Sequence, residues 1–402
     1  MGGSASIAAG SIPIGIAPPR ETPVARVRLQ NIDALRGFVM VLMLLDHLRE
    51  TWFVYYTVLD PVDARTIIPA LGFARFAASF CAPIFVALTG LGAYMFSISH
   101  SSEETTAFLV KRGLILMAME LFLLSPLYWG IVPQPTFWLQ VIWCIGLCMI
   151  ALAALRHLPR PVLIGIGLAL VCLHNLLDPI RLTAQDPLFP LWAMIHQRDT
   201  FALPFGFVAK TTYPIMPWLG VMMLGFGIGP WFRPDRDPAV RQRRLVTLGV
   251  SILVGFVALR LLNVYGDKPW FVVEGDPVRT VLSFISLTKY PASLLFLMPT
   301  LGGGLLLLAL FERINASKLI GALAVFGGAP MFFYIFHLAV LRIFYHSALA
   351  IWGPNHGSFI GVDNYNWILV WYVALIVPLY FPTAWFSRLK RRRRDIAWLK
   401  YF

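Results

Sequence analysis

Charge is scarce in this chain. Only 13% of its 402 residues are Asp, Glu, Lys or Arg, while 58% are hydrophobic and mean hydropathy is +0.72, a balance at odds with a set of water-soluble domains. Long polar stretches are lacking after residue 28, which excludes an extramembranous enzyme carried on one anchoring helix. Apolar and polar residues do not alternate every second position, which excludes an outer-membrane barrel. Cysteine is sparse as well. Cys81, Cys144, Cys148 and Cys172 all lie in apolar runs, and Cys144 and Cys148 are one helical turn apart rather than at zinc or redox spacing, so all four read as packing residues. No basic stretch precedes the mildly apolar segment 1–23, which is therefore expected to be a disordered tail rather than a secretory signal. An internal repeat of the kind that builds many transporters is not visible.

What the chain does have is apolar runs near the ~20 residues that cross a bilayer. They fall at 32–56, 73–98, 114–131, 137–155, 162–177, 214–232, 245–265, 290–311, 319–351 and 367–387. The expected fold is all-α, a polytopic membrane bundle of about ten helices, with breaks at Gly302, Gly303 and Gly304 near Pro299 and at Gly327 and Gly328 before Pro330; such breaks are tolerated at depth where they line a cavity or are covered by protein. The excess of basic residues, net charge +13, collects on one set of loops, so both termini are expected in the cytoplasm. Those loops carry Arg20, Arg26, Arg28, Lys111, Arg112, Arg156, Arg160, Arg233, Arg236, Arg241, Arg243, Arg244, Arg313 and Lys318. Arg391 to Arg394 read as an anchor on anionic lipid rather than a nucleic-acid patch. The opposite loops, 59–71, 178–213, 266–289 and 352–366, are long and mix Trp, Pro, Asp, Asn and His; they suit an external vestibule or ordinary loops with interfacial aromatics. The organisation expected is a cytoplasmic tail at 1–28, a membrane domain at 29–388 and a basic cytoplasmic tail at 389–402.

Ionisable groups within a span are costly and are default candidates for function. Asp33, Arg36, Asp46 and His47 lie on the first run, Glu120 on the third, Arg260 on the seventh, Lys289 at the mouth of the eighth, and His337 and Arg342 on the ninth. Eleven helical steps separate Arg36 from His47, which returns the chain to within about 20° with a rise on the order of 16 Å. Both face one side, Arg36 near the cytoplasmic headgroups and His47 near mid-membrane. That stripe suits a phosphate-bearing donor held by the guanidinium while the imidazole moves a proton; a packed histidine bonded to a neighbouring carbonyl is the alternative for His47. Asp33 is placed to pair with Arg36, and Asp46, a quarter-turn from His47, to pair with Lys289 or Arg49. Tyr334 and His337 share one face after the break at Pro330. Glu120 and Arg260 read as a buried ion pair fixing helix register. His174, His196, His346 and His356 have no metal-ligand spacing, and no metal is expected.

The segment Asn31-Ile32-Asp33-Ala34-Leu35-Arg36-Gly37 through Leu45-Asp46-His47 resembles the opening helix of the bacterial heparan-α-glucosaminide N-acetyltransferase-like family, within the transmembrane acyltransferase superfamily. Cys81-Ala82-Pro83-Ile84-Phe85, Gln140-Val141-Ile142-Trp143, Tyr213-Pro214 to Gly220, Tyr265-Gly266-Asp267, Thr288-Lys289-Tyr290-Pro291 and Phe333 to His337 follow in the family's order. The resemblance implies a multi-pass enzyme of the bacterial inner membrane that takes an acyl group, usually acetyl, from cytoplasmic acyl-CoA and passes it to a hydroxyl or amine of an extracytoplasmic sugar or glycolipid. It implies that Arg36, with Asp33, helps bind the donor, that His47 beside Asp46 is the general base or a transient acyl carrier, and that Lys289, Tyr290, Tyr334, His337 and Asp267 line the acceptor side. Acyl-CoA, the sugar acceptor and membrane lipid are the expected partners, nucleic acid is not, and a homo-oligomer stays open. A flippase for a lipid-linked sugar is the rival reading, because it would use the same buried charges without bond making; a non-catalytic membrane partner is a third.

Overall fold

The computed structural model describes residues 2, 30–129, 136–393, 395–396 and 398–399. The expected tail at 1–28, apart from Gly2, lies outside the described residues, Arg20, Arg26 and Arg28 included, as does Arg394.

In chain order the helices are α1 (Gln30–Trp52), α2 (Pro69–Ala78), α3 (Cys81–Ser97), α4 (Ser102–Met119), α5 (Ser125–Trp129), α6 (Val141–Leu155), α7 (Arg160–Cys172), α8 (Phe189–Ile195), α9 (Ile215–Gly227), α10 (Pro238–Leu262), α11 (Pro277–Ile285), α12 (Leu294–Arg313), α13 (Lys318–Gly328), α14 (Pro330–Trp352) and α15 (Asn366–Arg392). Among the described residues, six stretches are long and apolar enough to cross a membrane: Pro69–Ser97, Ile215–Phe232, Pro238–Leu262, Leu294–Arg313, Pro330–Trp352 and Asn366–Arg392. Val141–Leu155, Arg160–Cys172 and Lys318–Gly328 are apolar but shorter. Helix α1 has 23 residues, enough to cross, yet Asp33, Arg36, Asp46, Arg49 and Glu50 give it more charge than a lipid-facing helix tolerates. The helix α15 runs on through Arg392, so the basic segment expected from 389 begins within its last turn.

Local chemistry sets the helix ends. Ser101 and Glu104 form a reciprocal capping box at the start of α4, with Ser101 Oγ accepting from Glu104 N at 3.1 Å and Ser101 N donating to Glu104 Oε2 at 2.9 Å. Asp237, Ser293 and Ser317 cap α10, α12 and α13. Pro83 has no N–H to give the carbonyl four residues back, that of Ser79, and the helix is interrupted between α2 and α3 at Ser79 and Phe80.

Three expectations are corrected. The fold is mostly helical rather than all-α, because Thr136–Leu139 (β1), Thr200–Ala202 (β2) and Val208–Thr211 (β3) form a sheet in the order β1-β3-β2, parallel between β1 and β3 and antiparallel between β2 and β3. The apolar run from Phe137 therefore opens as a strand. Helix α12 passes unbroken through Pro299 and the three glycines. Those glycines are packing surfaces: a Cβ would meet the Gly249 carbonyl and Leu253 at Gly302, the Phe80 ring at Gly303 and Ile84 at Gly304. The run 319–351, by contrast, does break, at Ala329 between α13 and α14.

The core forms where helix pairs pack: α1 on α13, α4 on α6, α3 and α7 on α9, and α10 on α12. Helix α1 meets α13 closely at two glycines. A Cβ on Gly37 would fall on the Leu323 carbonyl, and one on Gly327 would fall on the Asp33 carbonyl, the small-residue contact that lets two helix backbones touch. Further along, His47 of α1 meets His337 of α14 with the same sequence offset as Gly37 to Gly327, so α13 and α14 run parallel to α1 through their break.

Candidate functional site

His47 and His337 face each other across that helix pair. His47 Nδ1 lies 2.7 Å from His337 Nε2, and the two rings stack with an 8° interplanar angle. The other nitrogen of His337, Nδ1, lies 2.6 Å from the Phe333 carbonyl oxygen. A carbonyl only accepts, so Nδ1 of His337 carries a proton and donates it. In neutral His337 the facing nitrogen, Nε2, is then an acceptor, and His47 Nδ1 is the donor to it. Neutral His47 is thereby fixed as the Nδ1–H tautomer, with the lone pair on Nε2. Burial tightens this chain, since His337 is 0% exposed. Tyr334, one turn before His337, sets its ring edge-on to His47 at 5.6 Å between centroids.

His47 borders a cavity of about 180 Å³, whereas His337, expected to line the acceptor side, is not among the lining residues and stands behind His47. From α1 the cavity is lined by Val39, Met40, Met43, Asp46, His47 and Glu50, and from the start of α14 by Pro330, Met331, Tyr334 and Leu338. Glu120, Gln140, Arg198, Tyr213, Lys289 and Tyr290 contribute its polar lining from other parts of the chain.

Asp46 is held by three cations. Its carboxylate accepts from Arg75 at 3.1 Å, from Arg49 at 3.4 Å and from Lys289 at 3.4 Å, so both partners expected for it are present. Arg75 was missed, although it is the one charge in the run 73–98 and gave the same kind of signal as Asp46. Asp60, from the loop after α1, was also missed. It accepts from Lys289 N at 3.1 Å and Tyr290 N at 2.8 Å, and burial pushes its carboxyl up against the opposing pull of those two N–H groups. A carboxylate in a loop of mixed polarity gives no signal by itself, because its partners lie more than two hundred residues away.

Asp267, expected to line the acceptor side, is outside the cavity lining. Its carboxylate accepts from Thr288 N at 2.8 Å, Thr288 Oγ1 at 2.6 Å and Ser293 Oγ at 2.6 Å, clamping both ends of the turn that presents Lys289 and Tyr290. Asp267→Ala leaves those three donors without their acceptor at a cost of about 1–3 kcal/mol, and the expected result is a lower thermal unfolding midpoint in detergent together with a raised acceptor KM. An unchanged midpoint would show that the clamp is dispensable.

Arg36 donates to Asp33 Oδ1 at 3.3 Å, the pairing expected, and to the Leu88 carbonyl of α3 at 3.2 Å. It is not among the cavity-lining residues, which begin one turn further along at Val39. The stripe from Arg36 to His47 is therefore real as a helix face, but its two ends have different neighbours. The expected ion pair of Glu120 and Arg260 is corrected. Arg260 donates to the carbonyls of Phe284, Lys268, Ser283 and Ser286 at 2.7 to 3.0 Å, capping the α11 region, whereas Glu120 sits in a π-helical turn (Glu120–Leu124) and accepts from Ile142 N at the start of α6.

Several helices long and apolar enough to cross a bilayer define a multi-pass membrane protein, and His47, facing His337, opens on a cavity inside it. Residues 28–265 match the family described as heparan-alpha-glucosaminide N-acetyltransferase, catalytic. The chain belongs to this family of membrane acetyltransferases. The match includes Asp46, His47, Arg75, Glu120 and Arg198 and ends before Lys289, Tyr290, Tyr334 and His337. No curated protein matches the chain.

Proposed function

We propose that the protein moves an acetyl group from cytoplasmic acetyl-CoA to an amine or hydroxyl of a sugar or glycolipid at the outer face of a bacterial inner membrane. The observation that carries this reading is the Phe333–His337–His47 chain of hydrogen bonds beside the cavity, which leaves a basic nitrogen on His47. The acceptor's nitrogen or oxygen attacks the thioester carbonyl carbon. A C–N or C–O bond forms while the C–S bond breaks, His47 Nε2 takes the nucleophile's proton, and that proton goes on to the departing thiolate, so CoA leaves as the thiol.

His337 acts as a positioning residue that keeps His47 in the productive tautomer, the role a carboxylate plays in other triads. The first turn of α14, with Pro330 and Met331 at the cavity, offers a helix N-terminus to the oxyanion that develops on the thioester oxygen. Lys289, Tyr290 and Tyr334 border the acceptor, and Asp46, held by Arg75 and Arg49, orients Lys289. Arg36, braced by Asp33 near the cytoplasmic end of α1, takes the phosphates of the donor, whose thioester arm then reaches past Val39 toward His47. In this reading residues 29–388 are one catalytic membrane domain of about ten crossings between cytoplasmic segments at 1–28 and 389–402, an orientation supported by the basic residues gathered on one set of loops.

The test is transfer in proteoliposomes with radiolabelled acetyl-CoA supplied on the cytoplasmic side and amino sugars on the other, scored by thiol release and by label in the sugar. Transfer across the bilayer is the expected result. Protein that turns over no acetyl-CoA with any extract, yet moves a glycolipid between leaflets, would replace this reading with the flippase. Label retained on the protein in a single turnover, and lost in His47→Ala, would replace direct transfer by an acetyl-histidine step.

A further inference from the structure

Three carboxyl groups line the cavity, those of Asp46, Glu50 and Glu120, and the chain itself supplies cations to two of them. Asp46 is ringed by Arg75, Arg49 and Lys289, and Glu50 accepts from Arg49 Nη2 at 2.8 Å. Glu120 is 2% exposed, and among the described residues it forms no ion pair. A buried carboxylate without a cation is costly, so this is a place that a positive ligand completes.

Local structure holds the Glu120 carboxyl in place without satisfying it. It accepts from Ile142 N at 3.1 Å, in the first turn of α6, where a helix N-terminus favours negative charge. A carboxylate has about four lone-pair sites, so that bond leaves others open to the cavity. The backbone is unusual at the same residue: the Glu120 carbonyl accepts from Ser125 N, five residues on, and π turns of this kind are frequent at functional sites. The elements packed on the turn bring no compensating charge. Strand β1 and helix α5 have no charged residue, α6 has only the thiols of Cys144 and Cys148, and α4 has no charge nearer than Arg112. Sharing the cavity with Glu120 are His47, Arg198, Lys289 and the phenols of Tyr213, Tyr290 and Tyr334.

We infer that Glu120 is a second base of the transfer reaction, which receives the ammonium group of a cationic acceptor and takes one proton from it. The inference rests on the acetyltransferase reading and adds a step that His47 alone does not perform. A protonated amine has no lone pair with which to attack. One proton therefore passes from R–NH3⁺ to the Glu120 carboxylate and leaves R–NH2 beside His47. Two opposite charges become two neutral groups, a change that a buried site favours. The amine nitrogen attacks the thioester carbonyl carbon, His47 Nε2 takes a proton from that nitrogen, and the proton goes to sulfur as the C–S bond breaks. Glu120 then returns its own proton to water. Ammonium and thioester have become amide, thiol and one free proton, so atoms and charge balance. His47 handles the proton that reaches sulfur, and Glu120 the one that leaves.

The experiment uses the full chain in proteoliposomes and compares two acceptors slightly below neutral pH: glucosamine, whose nitrogen is then largely protonated, and aminooxyglucose, whose nitrogen is not. Glu120→Gln keeps the length of the side chain and an oxygen to accept from Ile142 N. The expected result is a kcat/KM for glucosamine lower by about 10²-fold, the low end of what a positioned base contributes, and a loss with aminooxyglucose at least about tenfold smaller. The glucosamine loss shrinks as pH rises, by about tenfold for each unit until the amine is free, because bulk solution then supplies R–NH2. Equal losses with the two acceptors, or a glucosamine loss that pH leaves unchanged, overturn the second base and reduce Glu120 to a cap on α6. Binding without acetyl-CoA, measured by calorimetry, separates this inference from the reading it rests on. The wild type is expected to bind glucosamine more tightly than glucose, and Glu120→Gln to remove that difference. That result with no thiol released by any acceptor keeps Glu120 as an ammonium site and removes the acetyltransferase. Glucose and glucosamine bound alike by the wild type overturn the inference, whatever the transfer assay gives.

Discussion

Replacing His47 by Ala is expected to lower kcat for acetyl transfer by about 10²- to 10⁴-fold, the range contributed by a positioned general base, with little change in KM for acetyl-CoA. The effect of His337 is the sharper test, because it acts only through His47. Its Nδ1–H is committed to the Phe333 carbonyl and its Nε2 faces His47 Nδ1. Removing it in His337→Ala leaves His47 able to place its proton on either nitrogen, and only one tautomer presents a lone pair to the acceptor. A loss of kcat on the order of 10²-fold is expected, smaller than removing the base itself and in line with the cost of an imidazole in the wrong tautomer. His337→Gln restores an acceptor near the Nε2 position and is expected to recover part of that loss, and the acidic limb of the kcat/KM profile changes position in His337→Ala. A histidine that served packing alone would give equal losses in the Ala and Gln variants and an unmoved profile. That outcome would remove the relay while leaving His47 as base.

How much of this was legible in the chain differs from residue to residue, for physical reasons. The stripe on α1 could be read because helical geometry fixes which residues share a face. The break before α14 could be read because Gly-Gly-Ala-Pro supplies both an entropic weakness and a missing donor. Gly302 to Gly304 look alike in sequence but do the opposite, since whether glycine frees a backbone or admits a neighbour depends on Phe80 and Ile84, which arrive from another helix. The strand at Phe137 was hidden because a short apolar run has no period that separates strand from helix. Tyr334 and His337 could be set on one face, yet their meeting with His47 could not be derived from spacing, as it needs the register of α13 on α1. Arg260 was misjudged in its partner: carbonyls at helix ends are acceptors that composition does not display.

That register gives the second large effect. Gly37→Ala and Gly327→Ala each put a methyl group where a backbone carbonyl now lies, Leu323 in one case and Asp33 in the other. Overpacked side chains relax at a cost of about 1–3 kcal/mol, but a helix backbone cannot rotate aside, so the expected cost is at the top of that range or above it. Either helix α13 moves away from α1 or the pair does not form. Separation at Gly327 is carried along the parallel helices, through the Ala329 break, to His337, so the surviving folded protein is expected to lose transfer activity as well as thermal stability. Gly92→Ala is the internal control on a neighbouring helix: its Cβ would meet only Arg36 Nη2, at 3.2 Å, the far end of a flexible side chain, and the added methyl favours helix by up to ~1 kcal/mol. Thermal unfolding in detergent and kcat should therefore fall together for Gly37→Ala and Gly327→Ala, with unfolding at or above the wild-type midpoint for Gly92→Ala. If the two crossing variants unfold like wild type but are inactive, the glycines act at the site rather than through the helix contact. If all three behave alike, the close α1–α13 approach is not what holds the histidines together.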